Sequence, residues 1–222
     1  MNRHAMTNPP RFPLGRNALR RAALGRAAAA LLALGPLAGL AACQQPPETP
    51  PLAGAKIGGE FTLVDRSGRT LTWGSFNGRW RIVYFGYTFC PDVCPTDVAV
   101  LMKGYRQFAK EHPQEAAMVQ PIFISVDPVR DTPARVGEFA DAFGAPLLAL
   151  TGSQEQVDEA ARAFAVYHAR GKDLPGGGYL VDHSRAAYLM DPDGRPIALL
   201  PADLGDQKGP PAVAAELAKW VK

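Results

Sequence analysis

The chain has 222 residues, 47% hydrophobic and 20% charged, which excludes a disordered, collagenous or coiled-coil chain and fits one domain plus an added segment. Its formal charge of +3 is uneven: residues 1–42 hold six arginines and no acid, which leaves 18 basic and 21 acidic residues, a net of −3, in 43–222. With no basic excess and no Lys/Arg run in that larger part, nucleic-acid binding by phosphate neutralisation is not expected, and three cysteines are too few for a disulfide scaffold.

Chain order begins with an address. Arginine-rich residues 1–26 lead into Ala27–Leu40, fourteen residues without a charge, short of the roughly 20 that span a bilayer. A basic segment followed by a short apolar one is a secretory signal. Leu40-Ala41-Ala42-Cys43 then resembles the bacterial lipoprotein box, which implies cleavage before Cys43 and lipidation of its sulfur. Residues 1–42 are therefore expected to be a lipoprotein signal peptide, and the domain to face the periplasm from a membrane anchor. Acyl chains hold such an anchor by burying CH₂ groups at about 0.8 kcal/mol each. Arg20-Arg21 is only a weak twin-arginine signal. Residues 43–55, with four prolines and no apolar periodicity, read as a stiff linker.

From residue 56 onward the pattern is that of a folded domain. Phe61–Val64 and Thr70–Thr72 flank a Gly-containing loop and predict a hairpin; Arg81–Tyr87, apolar after its arginine, predicts a buried central strand. Apolar residues at 98, 101, 102, 105 and 108 predict a helix over Thr96–Glu111, and Val119–Val126 a second buried strand. Thr132–Phe143 is expected to be a helix with Pro133 at its first position, Leu147–Leu150 a short strand, and Gln154–Tyr167 a further helix. Ala187–Met190 and Ile197–Leu200 are joined by the turn Asp191-Pro-Asp-Gly194, and Ala212–Val221 closes the chain as a helix. This order predicts an α/β, thioredoxin-like sandwich: a central mixed sheet flanked by helices, with an N-terminal β-hairpin.

Such a fold puts its chemistry where the first central strand meets its helix. Here that junction reads Phe85-Gly-Tyr-Thr-Phe-Cys90-Pro-Asp-Val-Cys94-Pro-Thr96. Cysteines four apart lie about 5–6 Å from each other on a helix. Pro95 suits the first helical position, which makes Cys94 the expected N-cap, where the positive end of the helix favours thiolate. Three intervening residues depart from the two of thioredoxin-like redox sites, and zinc lacks its four ligands. Two thiolates with one imidazole suit copper. His112 and His168 are read as ending helices, in capping roles. His183 follows the loop 171–179, with its three consecutive glycines Gly176–Gly178, near the place where thioredoxin-like folds set a cis-proline facing the cysteine loop. It is the expected third ligand. Asp92 lies between the cysteines, where it can tune the site or meet a basic partner residue. The segment Asp127-Pro-Val-Arg-Asp-Thr-Pro133 admits two readings: a docking loop, or Asp131 or Thr132 capping the next helix while Arg130 pairs with an acid.

The cysteine segment, Ser125–Pro133, and Asp182-His-Ser184 with Tyr188–Gly194 make residues 56–222 similar to the Sco/SenC family of thioredoxin-like copper chaperones. That resemblance implies Cu(I) or Cu(II) bound by Cys90, Cys94 and His183. It also implies a role in assembling the binuclear copper site of cytochrome c oxidase subunit II, by copper delivery or by reduction of that site's disulfide. Arg185-Ala-Ala187 falls in a variable stretch of the family, and many relatives carry a transmembrane helix in place of a lipoprotein box. The competing readings are a thiol–disulfide oxidoreductase using Cys90 and Cys94, a periplasmic redox or copper sensor, and, more weakly, a peroxidase.

Overall fold

The computed structural model describes residues 48–222. Cys43, the signal segment and the first part of the linker lie outside the described residues. Among those described, no helix is long and apolar enough to cross a membrane. Pro51–Gly54 form turns, and the Leu52 N–H donates to the Ile197 carbonyl (3.0 Å), so this part of the proline-rich stretch is fastened to the domain.

Strands β1 (Thr62–Val64) and β2 (Thr70–Thr72) form the expected hairpin, closed by Asp65, whose Oδ1 accepts from the Ser67 hydroxyl (2.6 Å) and from backbone N–H groups. The principal sheet has five strands: β3 (Trp80–Gly86), β4 (Val119–Ser125), β5 (Leu148–Leu150), β8 (Ala187–Met190) and β9 (Pro196–Leu200). Their order is β5-β4-β3-β8-β9, with β3, β4 and β5 mutually parallel, β8 antiparallel to β3, and β9 antiparallel to β8. The sheet is mixed, as expected, because helices α1 (Val93–Glu111) and α3 (Pro133–Phe143) return the chain for parallel pairing while Asp191–Gly194 turns it back directly.

Alternation along β3 builds a core on each face. Tyr84 stacks on Phe123, which meets Phe139 of α3; Phe85 meets Phe164, which packs on Trp73 and Tyr188. Helix α1 lies along α5 (Gly205–Trp220), and Gly104 makes their approach possible, since a Cβ there would stand 2.6 Å from Val213.

Several expected boundaries are corrected. Helix α1 starts at Val93 with Asp92 as its N-cap, so Cys94 sits inside the first turn, and Pro95 is tolerated because first-turn N–H groups have no intrahelical partner. A short helix, α2 (Pro113–Ala117), follows it. Helix α4 (Gln154–Ala163) ends before Tyr167 because Ala165 adopts a left-handed φ of 53° and reverses the chain. Consequently His168 ends no helix: it opens β6 (His168–Asp173), which pairs antiparallel with β7 (Tyr179–His183). Of the stretch 171–179 read as a loop, residues 174–178 are the tip of a separate two-stranded sheet, with Gly176, Gly177 and Gly178 at positive φ, and the flanking residues belong to its strands. His183 ends β7 and stands shortly before β8. Helix α5 begins seven residues earlier than expected and runs through Pro210 and Pro211.

Candidate metal centre

Strand β3 delivers the chain to the sheet's edge at Gly86, and the next residues are anchored from below. The Thr88 N–H and hydroxyl both donate to Asp131 (3.0 and 2.6 Å), as does the Ser125 hydroxyl (2.6 Å). Burial pushes the Asp131 carboxyl above its usual range despite these bonds. Thr132, not Asp131, caps α3, accepting from the Arg135 N–H, and Arg130 pairs with Asp127. Of the two readings of this segment, capping and pairing are what the structure contains.

The anchored turn lifts Cys90 to the rim, half-buried, while Cys94 is fully enclosed in the first turn of α1. The Cys94 N–H, one of the helix's unpartnered donors, points at the Cys90 sulfur (3.4 Å), so that sulfur serves as an N-terminal acceptor for the helix. The Cys94 thiol is the first stabiliser of the Cys90 thiolate, helped by the backbone N–H groups of Asp92 and Cys94. Together they outweigh burial and bring Cys90 down to about 3. Cys94 moves the other way, its proton held by Cys90 and by burial. The two sulfurs therefore divide the labour: an anion at the rim and a thiol beneath it.

His183 closes the group from the opposite side. Its Nε2 is 3.1 Å from the Cys94 sulfur, and its Nδ1 is 2.9 Å from the Ser184 carbonyl. A carbonyl only accepts, so Nδ1 carries the hydrogen and Nε2 is the nitrogen turned to the sulfurs. The rings of Tyr84 and Tyr87 stand edge-on to the imidazole at 6.4 and 5.9 Å. The ligand atoms of Cys90, Cys94 and His183 all lie within 4.8 Å of one another, the spacing of a single small cation. Two sulfurs and one nitrogen, with no fourth Cys or His among the described residues in the group, match a soft monovalent ion better than zinc.

The other expected residues are elsewhere. His112 caps α1 by position, with its ring stacked on Phe108 at 5.1 Å. His168 faces Asp158, at 3.2 Å. The Asp92 side chain is exposed and makes no cap bond, while its carbonyl accepts from the Thr96 hydroxyl.

One arrangement around a buried carboxylate beneath the site was missed from sequence. Asp97 accepts from the Tyr84 hydroxyl (2.9 Å) and from both arms of Arg185 (3.0 and 2.7 Å). That bidentate pair raises the Arg185 guanidinium's affinity for its proton, and burial does the same for the Tyr84 phenol. It ties the segment leaving His183 to the helix that bears Cys94. The available signal was Asp97 itself, an acid within the apolar stripe of α1.

Residues 49–222 match the SCO1/SenC family model. Protein SCO2 homolog, mitochondrial, of Bos taurus is 41% identical over 152 residues, which is 68% of this chain and 56% of that protein. The chain thus spans little more than half the length of that relative. Among solved structures, Arabidopsis thaliana ScoI with copper bound is 35% identical with a TM-score of 0.65, covering 73% of this chain and 96% of that one. Bradyrhizobium japonicum ScoI with copper bound has the same identity and TM-score over 74% and 99%. The mixed sheet flanked by helices is accordingly the thioredoxin-like fold of these proteins. The chain belongs to the SCO1/SenC family.

Proposed function

We propose that this protein is a copper metallochaperone acting outside the cytoplasm, in which Cys90, Cys94 and His183 hold one copper ion. The observation that carries the reading is the convergence of two sulfurs and an imidazole nitrogen within 4.8 Å. Its support is chemical: thiolate and imidazole suit Cu(I) in three-coordination, and Cu(II) can be taken with one added donor. Cys90 offers its sulfur as thiolate, Cys94 gives up its proton on binding, and His183 offers Nε2 while Ser184 fixes its tautomer. The two relatives solved with copper bound share more than 30% identity with the chain.

The acceptor proposed is cytochrome c oxidase subunit II, whose binuclear copper site the protein would help assemble, or another copper acceptor. Lipidation at Cys43 would hold the domain at a membrane, facing the periplasm. Mass spectrometry of the membrane fraction should find an acylated N-terminal Cys43; an intact, unmodified Met1 terminus there rejects the anchor.

The test of the site is copper titration of the full chain against His183→Ala. The wild type should bind one ion, with sulfur-to-Cu(II) charge-transfer absorption, and the variant should bind far more weakly. Equal binding by the variant rejects the reading.

A second role is favoured by the half-buried Cys90 thiolate beside a protonated Cys94. Cys90 would attack an acceptor disulfide and release one of its thiols. Cys94 would then displace the second, leaving Cys90–Cys94 oxidised and the acceptor reduced by two electrons. His183→Ala separates the roles, because disulfide exchange needs no imidazole ligand.

A further inference from the structure

The imidazole and the sulfurs belong to different pieces of backbone. Strands β6 and β7 form their own two-stranded sheet, and no ladder bond joins them to the five strands that position the cysteines. Something other than sheet register must therefore hold His183 against Cys94.

Arg130 touches both pieces. Its Nη1 donates to the Tyr179 carbonyl (2.8 Å), and its guanidinium carbon lies 3.7 Å from the centre of the Tyr179 ring. Tyr179 opens the strand that ends at His183. The same carbon is 5.0 Å from the ring of Phe89, the residue before Cys90, and 5.6 Å from that of Tyr87. Asp127 aims the group: it accepts from Arg130 Nε through one oxygen and from the Tyr179 hydroxyl through the other (2.7 Å). The Arg130 side chain is 17% exposed and that of Asp127 only 3%. Arg130 Nη2 is buried without a hydrogen-bond partner, in a place where ring faces surround the guanidinium. A planar fork that bonds a carboxylate and a carbonyl while stacking on rings is a task for arginine that lysine cannot reproduce.

We propose that Arg130 is a positioning residue for the metal centre, docking the His183 hairpin onto the cysteine segment through Asp127 and Tyr179. The inference rests on the copper-holding function proposed above. It turns the Asp127–Arg130 pair from a loop brace into a contact that, beside Arg185–Asp97, sets how long the imidazole stays on the metal.

The experiment measures removal of Cu(I) from the full chain by bathocuproine disulfonate, in wild type, Arg130→Lys, His183→Ala and the double variant. Outer contacts of metal ligands are worth about 10–100-fold, and Arg130→Lys should speed removal within that range while unfolding at nearly the wild-type temperature. Its Cu(II) form should lose nitrogen hyperfine structure in electron paramagnetic resonance. In the His183→Ala background the same change should add nothing, because the residue it positions is gone. Unaltered removal by folded Arg130→Lys overturns the proposal, as does equal acceleration with and without His183. Tyr179→Phe, which deletes one hydroxyl, should move removal the same way by less and keeps the test open if Arg130→Lys fails to fold; no change there overturns it. If His183→Ala alone leaves removal unaltered, the copper-holding reading itself has failed, and the docking proposal falls with it.

Discussion

The cysteine segment and the His183 hairpin bring the same kind of group to one point by opposite means. Cys94 is enclosed in a helix that rests on the five-stranded sheet, and the turn before it is pinned by a buried carboxylate. The hairpin has strands that are mostly half-buried or exposed, with only Val181 fully buried, and a tip of three glycines at positive φ, and side chains fasten it. A site that must both hold and hand over an ion gains from that difference. Two donors on a rigid platform preserve the geometry, and one on a separate arm supplies a way out.

The largest expected contrast lies within the platform. Because the folded Cys90 sits near 3, well below the ordinary thiol value of 9, it is already thiolate across the neutral range. Alkylation of the metal-free protein by iodoacetamide at Cys90 should therefore be nearly flat from pH 8 to pH 5. An ordinary thiol would slow by about a thousandfold over that interval. A steep decline at Cys90 would show that the rim sulfur is protonated and that the division between the sulfurs is wrong.

Next comes the contrast between platform and arm. Cys94→Ser should weaken copper binding by more than about a hundredfold, beyond the range of outer contacts, and by more than His183→Ala does. Competition titrations that put His183→Ala at or beyond Cys94→Ser would break the comparison.

Stability should follow the same line. A Cβ at Gly86, the last residue of β3, would lie 3.0 Å from Phe123, 3.1 Å from the Cys94 sulfur and 3.1 Å from Tyr84. Gly86→Ala should cost about 1–3 kcal/mol through overpacking, read as a lower melting temperature. At Gly177, φ is +98° with nothing within 4 Å, so Gly177→Ala should speed hydrogen exchange in the hairpin and leave global melting nearly unchanged. A fall in melting temperature as large as that of Gly86→Ala would mean the arm is part of the platform. The smallest effect is a gain. Ala165 holds a left-handed φ where α4 turns toward the arm, and Ala165→Gly should stabilise the protein by about 0.5–1 kcal/mol. A loss in chemical denaturation would show that the turn is not strained.

Legibility followed the same division. Strands β3 and β4 were readable because burial on both faces demands continuous apolar runs, and the β8–β9 hairpin because Asp191–Gly194 encodes a turn. Cys90, Cys94 and His183 were readable because few residue types can ligate a soft metal. The hairpin was hidden: His168-Ala-Arg-Gly-Lys-Asp173 buries little on either face, so it shows no two-residue alternation. Helix α4 was overextended because Phe164 and Val166 continue its apolar content past a reversal that depends on a single backbone angle. Arg185 looked like part of a variable stretch, and its bond to buried Asp97 connects positions 88 residues apart that no local pattern relates.

The short bridge from Leu52 to Ile197 bears on how the protein can be cut. Strand β9 is an outermost strand of the main sheet, and such borders invite pairing with a neighbouring chain. The residues around Leu52 act as a selvedge along it. A recombinant fragment begun at residue 56 would be left with a raw border and a tendency to self-associate, whereas one begun at Thr49 would keep its own hem.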